Sequence, residues 1–168
     1  MWATDEALWK DVTETSPGNG RGWMNYGLIF MARGDWANAR ACFEKAQANA
    51  PNYDFLEVNF GILEGASGRP ADAERHFQRA ITLNLNPAMS HFYFARWLHQ
   101  VGRDAEAADH LRQSLAVSPA DLEARHLLMN VYKALHDDSR YCALARETLA
   151  IAPGDPDATS AVASCAGK

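Results

Sequence analysis

The chain has 168 residues, 48% hydrophobic and 22% charged, with a net charge of −5. This is the balance of a soluble globular protein long enough to bury a sizeable core, and it excludes a disordered chain. The acidic surplus, without any basic block or basic-aromatic strip, argues against a nucleic-acid partner. The longest uncharged apolar run, Trp23 to Ala32, is far shorter than the roughly 20 residues that span a bilayer.

The start of the chain does not read as a signal peptide, and the first predicted helix runs from Asp5 to Thr15. The stretch that follows, "NYGLIFMARGDWANARACF", is an apolar helical run with Gly27 inside it. It halts at Gly34-Asp35 and then resumes with alanines three or four apart. Glycine in a helix interior costs roughly 1 kcal/mol relative to alanine, so its presence needs a packing reason.

Shifting this stretch by 34 residues supplies one. Trp23, Tyr26, Gly27, Phe30, Gly34, Ala39, Phe43, Ala46 and Pro51 fall on Glu57, Phe60, Gly61, Glu64, Gly68, Ala73, Phe77, Ala80 and Leu85. The next shifts reach His91, Phe94, Ala95, Leu98, Gly102, Ala107, Leu111, Ser114 and Pro119, then Arg125, Leu128, Met129, Tyr132, His136, Tyr141, Ala145, Thr148 and Pro153. Each unit reads as two antiparallel amphipathic helices, the first closing at Gly34, Gly68, Gly102 or His136 in a left-handed cap. Gly27 is placed opposite Ala39 so that the backbones approach while Tyr26, Phe30 and Phe43 fill the seam. Asp35 and Asp104 are read as caps of second helices, Pro70 fits a first turn, and Pro51, Pro87, Pro119 and Pro153 punctuate the ends.

The pattern resembles the tetratricopeptide repeat (TPR) family over about residues 20 to 155, most fully at 20–53. The second unit departs from it with Glu57 and Glu64 where aromatics are usual, and the fourth with Tyr141 and Ala145 in place of a small and a large residue. The fold expected is all-α, a right-handed superhelical solenoid of about four helix-turn-helix units at 20–53, 54–87, 88–121 and 122–155. Residues 1–19 would add a half repeat, and 156–168 a capping helix and tail. The half repeat is either a cap or the mark of a piece cut from a longer chain, and the second is preferred.

In TPR proteins the ligand usually lies in a concave groove against one face of the first helices. The register puts Arg21, Met24, Asn25, Leu28 and Met31 on that face, then Phe55, Val58, Asn59 and Ile62. Met89, Phe92, Tyr93, Arg96 and His99 follow, then Glu123, His126, Asn130 and Lys133. So apolar a strip, rimmed by polar groups, points to a protein or peptide ligand. Asn25 and Asn59 are equivalent, and their amides suit a peptide backbone. They resemble the start of the asparagine ladder of O-GlcNAc transferase, which Tyr93 and Leu127 interrupt. The clamp by which another TPR subclass holds chaperone carboxylates is disfavoured, because Met24, Leu28, Met89 and Tyr93 stand where its cations belong.

Enzyme signatures are missing, so no catalytic residue, cofactor or metal is assigned. A metal bridging His76, His110 and Cys42 is conceivable, but ordinary packing is preferred, with His91 in the core and His99 lining the groove near Lys133. Cys142 and Cys165 open and close neighbouring helices, which leaves a disulfide open; pairing would indicate an oxidising compartment. Residues 8–27 also resemble the junction in bacterial multi-pass, glycosyltransferase-like membrane proteins, where a soluble TPR array follows the last span. This slightly favours an extracytoplasmic, periplasmic location and an alternative regulatory or substrate-presenting role. Trp2 and Trp9, seven apart on one helical face, leave self-association through the end helices as a third possibility.

Overall fold

The computed structural model describes residues 5–165, and every regular element among them is an α-helix. The chain divides after Asn86 into two compact units. The first holds α1 (Asp5–Thr15), α2 (Gly20–Ala32), α3 (Trp36–Asn49), α4 (Asp54–Ala66) and α5 (Pro70–Leu83). The second holds α6 (Pro87–Gln100), α7 (Asp104–Val117), α8 (Leu122–Ala134), α9 (Asp138–Ile151) and α10 (Pro156–Cys165). Trp2 lies outside the described residues, and Trp9 on α1 is half-buried.

The four predicted helix breaks are real and share one geometry. Gly34, Gly68 and Gly102 have φ of 73°, 76° and 79°, and His136 takes the same left-handed conformation at 55°. After each of them the next backbone N–H reaches back to close the helix end: Asp35 to the Phe30 carbonyl, Arg69 to Glu64, Arg103 to Leu98, and Asp137 to Tyr132. These bonds satisfy carbonyls that the helix leaves without partners. The second helix then starts from a local cap. The Asp35 carboxylate accepts from the Asn38 N–H and that of Asp137 from the Arg140 N–H, whereas Pro70 sits in the first turn of α5. Asp104 departs from expectation. It is the first residue of α7, the cap position belongs to Arg103, and the Asp104 carboxylate binds the His99 ring instead. Pro87 likewise opens α6 rather than closing α5, which ends at Asn84 in the left-handed region.

In the first unit the core joins Met24, Ala39, Phe43, Ala46, Leu56, Phe60 and Leu63, with Trp23, Leu28, Trp36 and Tyr53 packed around it. Gly27 lies in tight contact with α3, and the atoms nearest a Cβ there belong to Phe43 and Cys42. A Cβ there would stand 2.5 Å from Phe43 Cε1. Gly61 repeats the arrangement against the Phe77 ring, at 2.8 Å. Each glycine therefore forms the floor on which a phenylalanine ring rests. In the second unit the equivalent places hold Ala95 with Leu111 and Met129 with Ala145, all four buried.

Both ends of the described chain are fastened. The Arg33 guanidinium, at the cap of α2, reaches Glu6 on α1 with two bonds of 3.0 and 2.6 Å, and this holds the Glu6 carboxyl below the usual range. Cys142 and Cys165 form a disulfide joining the N-terminal part of α9 to the end of α10.

Because a side chain at Gly27 would collide with an aromatic ring in a packed seam, Gly27→Leu should cost about 1 to 3 kcal/mol in a denaturant titration; a neutral outcome would mean the seam is not as described. His136 holds a conformation disfavoured for residues with a Cβ, so His136→Gly should raise stability by about 1 kcal/mol. Thermal melts of the two proteins would read that difference.

Candidate functional site

The predicted strip on the first helices separates into buried and open residues. Met24, Val58, Asn59 and Phe92, expected on the open face, are buried among the packed helices. Val58 and Asn59 belong to a continuous buried run on α4, and Phe92 follows buried His91 on α6. In the first unit Asn25, Leu28 and Ile62 stay half-buried, while Phe55 is 36% exposed next to a run, Leu56 to Gly61, that is buried throughout. Phe55 is held by stacking on Tyr53, ring centroids 6.2 Å apart. Equivalent register does not give equivalent exposure to the two asparagines, since the Asn59 Nδ2 is buried and donates to nothing within the described chain.

In the second unit Met89, Tyr93, Arg96, His99 and His126 are half-buried, and Asn130 and Lys133 are exposed. The Arg96 guanidinium lies over the Tyr93 ring, 4.6 Å from its centroid, so this part of the face is a cation stacked on an aromatic surface. His99 is engaged with Asp104, not with Lys133. His126 Nε2 is 2.8 Å from the Asp155 carboxylate, and with Met129, Asn130, Tyr141 and Ser160 it lines a cavity of about 260 Å³. Asp155 also accepts from the Ala158 N–H at 2.8 Å to cap α10; that backbone bond, reinforced by His126, holds its carboxyl below the usual range.

The largest departures from the repeat pattern become the main polar contacts. Glu57 is 1% exposed and meets His76 at 2.7 Å, Arg79 at 2.8 Å and Gln47 at 3.1 Å. Glu64 is as deeply buried and is paired with Arg40 and Arg69. Both glutamates sit on α4 and reach α3 on one side and α5, or the turn before it, on the other. A buried carboxylate stripped of its partners costs roughly 3–5 kcal/mol, so these networks fix which helices lie beside α4.

Of the three residues considered for a metal, the two histidines are engaged elsewhere. His76 binds Glu57, whereas His110 Nδ1 lies 2.8 Å from His91 Nδ1. Cys42 is buried, and burial pushes its thiol above the usual range, which makes it unreactive. The His91–His110 contact, covered by the Phe94 ring at 4.6 Å from His110, requires one ring to donate and the other to accept. Burial holds both imidazoles below their ordinary value, and His91 lowers His110 further. The sequence signal for these networks was visible as polar residues at apolar places of the repeat; their partners were not.

Set against known proteins, two models described as tetratricopeptide repeat match residues 20–86 and 58–121. No curated protein matches the chain by sequence. Among solved structures it is similar to PilW, a type IV pilus biogenesis factor, at TM-score 0.78 and 18% identity, covering 94% of this chain and 76% of that one. It is also similar to TTC0263, a thermophilic TPR protein of Thermus thermophilus, at TM-score 0.76 and 18% identity over 97% and 89% of the two chains. A third is YrrB, a TPR protein with an unusual peptide-binding site, at TM-score 0.68 and 20% identity over 93% and 80%.

A histidine whose folded value is depressed favours folding while neutral, so its contribution is present above about pH 6.5 and is lost as the pH falls below it. The melting temperature should therefore drop between pH 7.5 and 5.5. His110→Phe should flatten that part of the profile, and an unchanged slope would show that the pair does not titrate with folding.

Proposed function

Because the chain belongs to the tetratricopeptide repeat family, we propose that it is a non-catalytic protein-interaction module whose first-helix face docks an extended peptide or protein segment. The observation that carries this reading is the incomplete burial of an apolar face on helices that are otherwise packed: Phe55 on α4 is exposed, and Ile62 on α4 and Leu28 on α2 are only half-buried, as is Asn25, which shares their face by register. Exposed aromatic and aliphatic groups bordered by a hydrogen-bonding amide suit a strand of peptide, which offers side chains to the first and backbone to the second. Met89, Tyr93 and Arg96 repeat the chemistry in the second unit with a cation added. The peptide-binding site of YrrB, which has the same fold, lends further support.

The Cys142–Cys165 disulfide favours an oxidising, extracytoplasmic setting, as the alternative reading of a domain belonging to a membrane protein requires. No described helix is long and apolar enough to cross a membrane.

A peptide array probed with the chain tests the reading. Peptides captured by the chain should bind at least tenfold more weakly to Asn25→Ala with Phe55→Glu, at unchanged helical circular dichroism. Capture that survives both substitutions would remove this face as the docking surface.

A further inference from the structure

We propose a second binding site, for a carboxylate carried on a short apolar peptide segment, in the open cavity between α7, α8 and α9 within the second unit. This cavity measures about 450 Å³, in the range of ligand sites, and Arg112, Arg125 and Arg140 converge on it from the three helices.

Arg125 occupies the place that Trp23 holds in the first repeat, and it copies one of that residue's bonds. Trp23 Nε1 donates to the carbonyl of Pro17 at 2.8 Å, and Arg125 Nε to that of Pro119 at 2.7 Å. The rest of the guanidinium has no such counterpart. Arg125 is only 7% exposed, and its Nη1 is buried without a hydrogen-bond acceptor. The nearest acid, Glu147 on α9, stands 3.9 Å away, an ion pair too long to be a hydrogen bond, and its side chain is 67% exposed. A buried charged donor left short of an acceptor is costly, so the site is built to receive one. Glu147 marks the kind of group that fits and is free to swing aside.

The surroundings select the ligand. Among the described residues Arg112 pairs with exposed Asp109 and Arg140 with half-buried Asp137, each three residues away, and pairs made by arginines this exposed are weak enough to exchange for a ligand. Leu128 and Leu144 supply apolar wall. Three guanidiniums against one carboxylate in the lining favour an anion, and the chain's net charge of −5 disfavours a long polyanion. An acidic side chain flanked by an aliphatic one satisfies both, since a planar carboxylate takes two parallel bonds from a guanidinium.

A fluorescein-labelled peptide of alternating Leu and Glu, followed by anisotropy, tests this against Leu-Gln and Leu-phosphoserine versions. The Glu peptide should bind at least tenfold more tightly than the Gln peptide. Arg112→Gln with Arg140→Gln should weaken it tenfold at unchanged melting temperature, and Glu147→Gln should tighten it several-fold by removing the competing carboxylate. Asn25→Ala with Phe55→Glu should leave it unaltered, which separates this site from the first-helix face. Equal binding of the Glu and Gln peptides, indifference to the double arginine variant, or weaker binding by Glu147→Gln would overturn the proposal; preference for phosphoserine would replace the carboxylate with a phosphate.

Discussion

The structure depends on how closely the two helices of each repeat approach. In the first two repeats that distance is set by a phenylalanine ring resting on a glycine, Phe43 on Gly27 and Phe77 on Gly61, with no room for a Cβ. The later repeats keep the seam filled by redistributing size. Ala95 faces Leu111 by register, and then Met129 faces Ala145, so bulk crosses from the second helix to the first. All eight positions are buried, as interior packing near crystalline density demands. This explains why Ala145 is tolerated: the space that a large residue would fill is taken from the other side.

A second constraint is written at the place of Trp23, Glu57, His91 and Arg125. Each makes a contact of different chemistry with its own second helix: Lys45 lies over the Trp23 ring at 4.1 Å, Arg79 pairs with Glu57, His110 meets His91, and Glu147 faces Arg125 with the charges reversed. In a chain of near-identical helices the hydrophobic seam alone does not distinguish one partner from another. Unlike polar pairs do, because a mispaired helix would bury a charge beside the wrong neighbour. The repeats are thus alike where they need to close and different where they need to be told apart.

What packing consumes also defines what is left for binding. Helices with apolar residues on more than one side bury the side nearest their partners first, and α4 does so almost completely. The residues left partly open, Phe55 and Ile62 with Asn25 and Leu28, form the proposed docking face. The arginine-lined cavity of the second unit arises differently. There a cation stands at a core aromatic place, one of its nitrogens is buried without an acceptor, and the residue lines a cavity.

The repeat, the all-α class, the four helix breaks and the Asp35 cap were legible in the sequence, because left-handed glycine, side-chain capping and apolar spacing act within a few residues of their cause. His136 marks the limit of that local signal, since only its place in the 34-residue register located a break that residue type would have missed. The tertiary structure decided the rest: that Asp104 serves His99 rather than a helix end, that Met24, Val58, Asn59 and Phe92 are supports, that Glu57 and Glu64 find arginines, and that Cys142 meets Cys165. Each of these depends on the rotation of one helix against another, by which a neighbour a quarter-turn away is either covered or exposed. No periodicity within a single helix contains that angle.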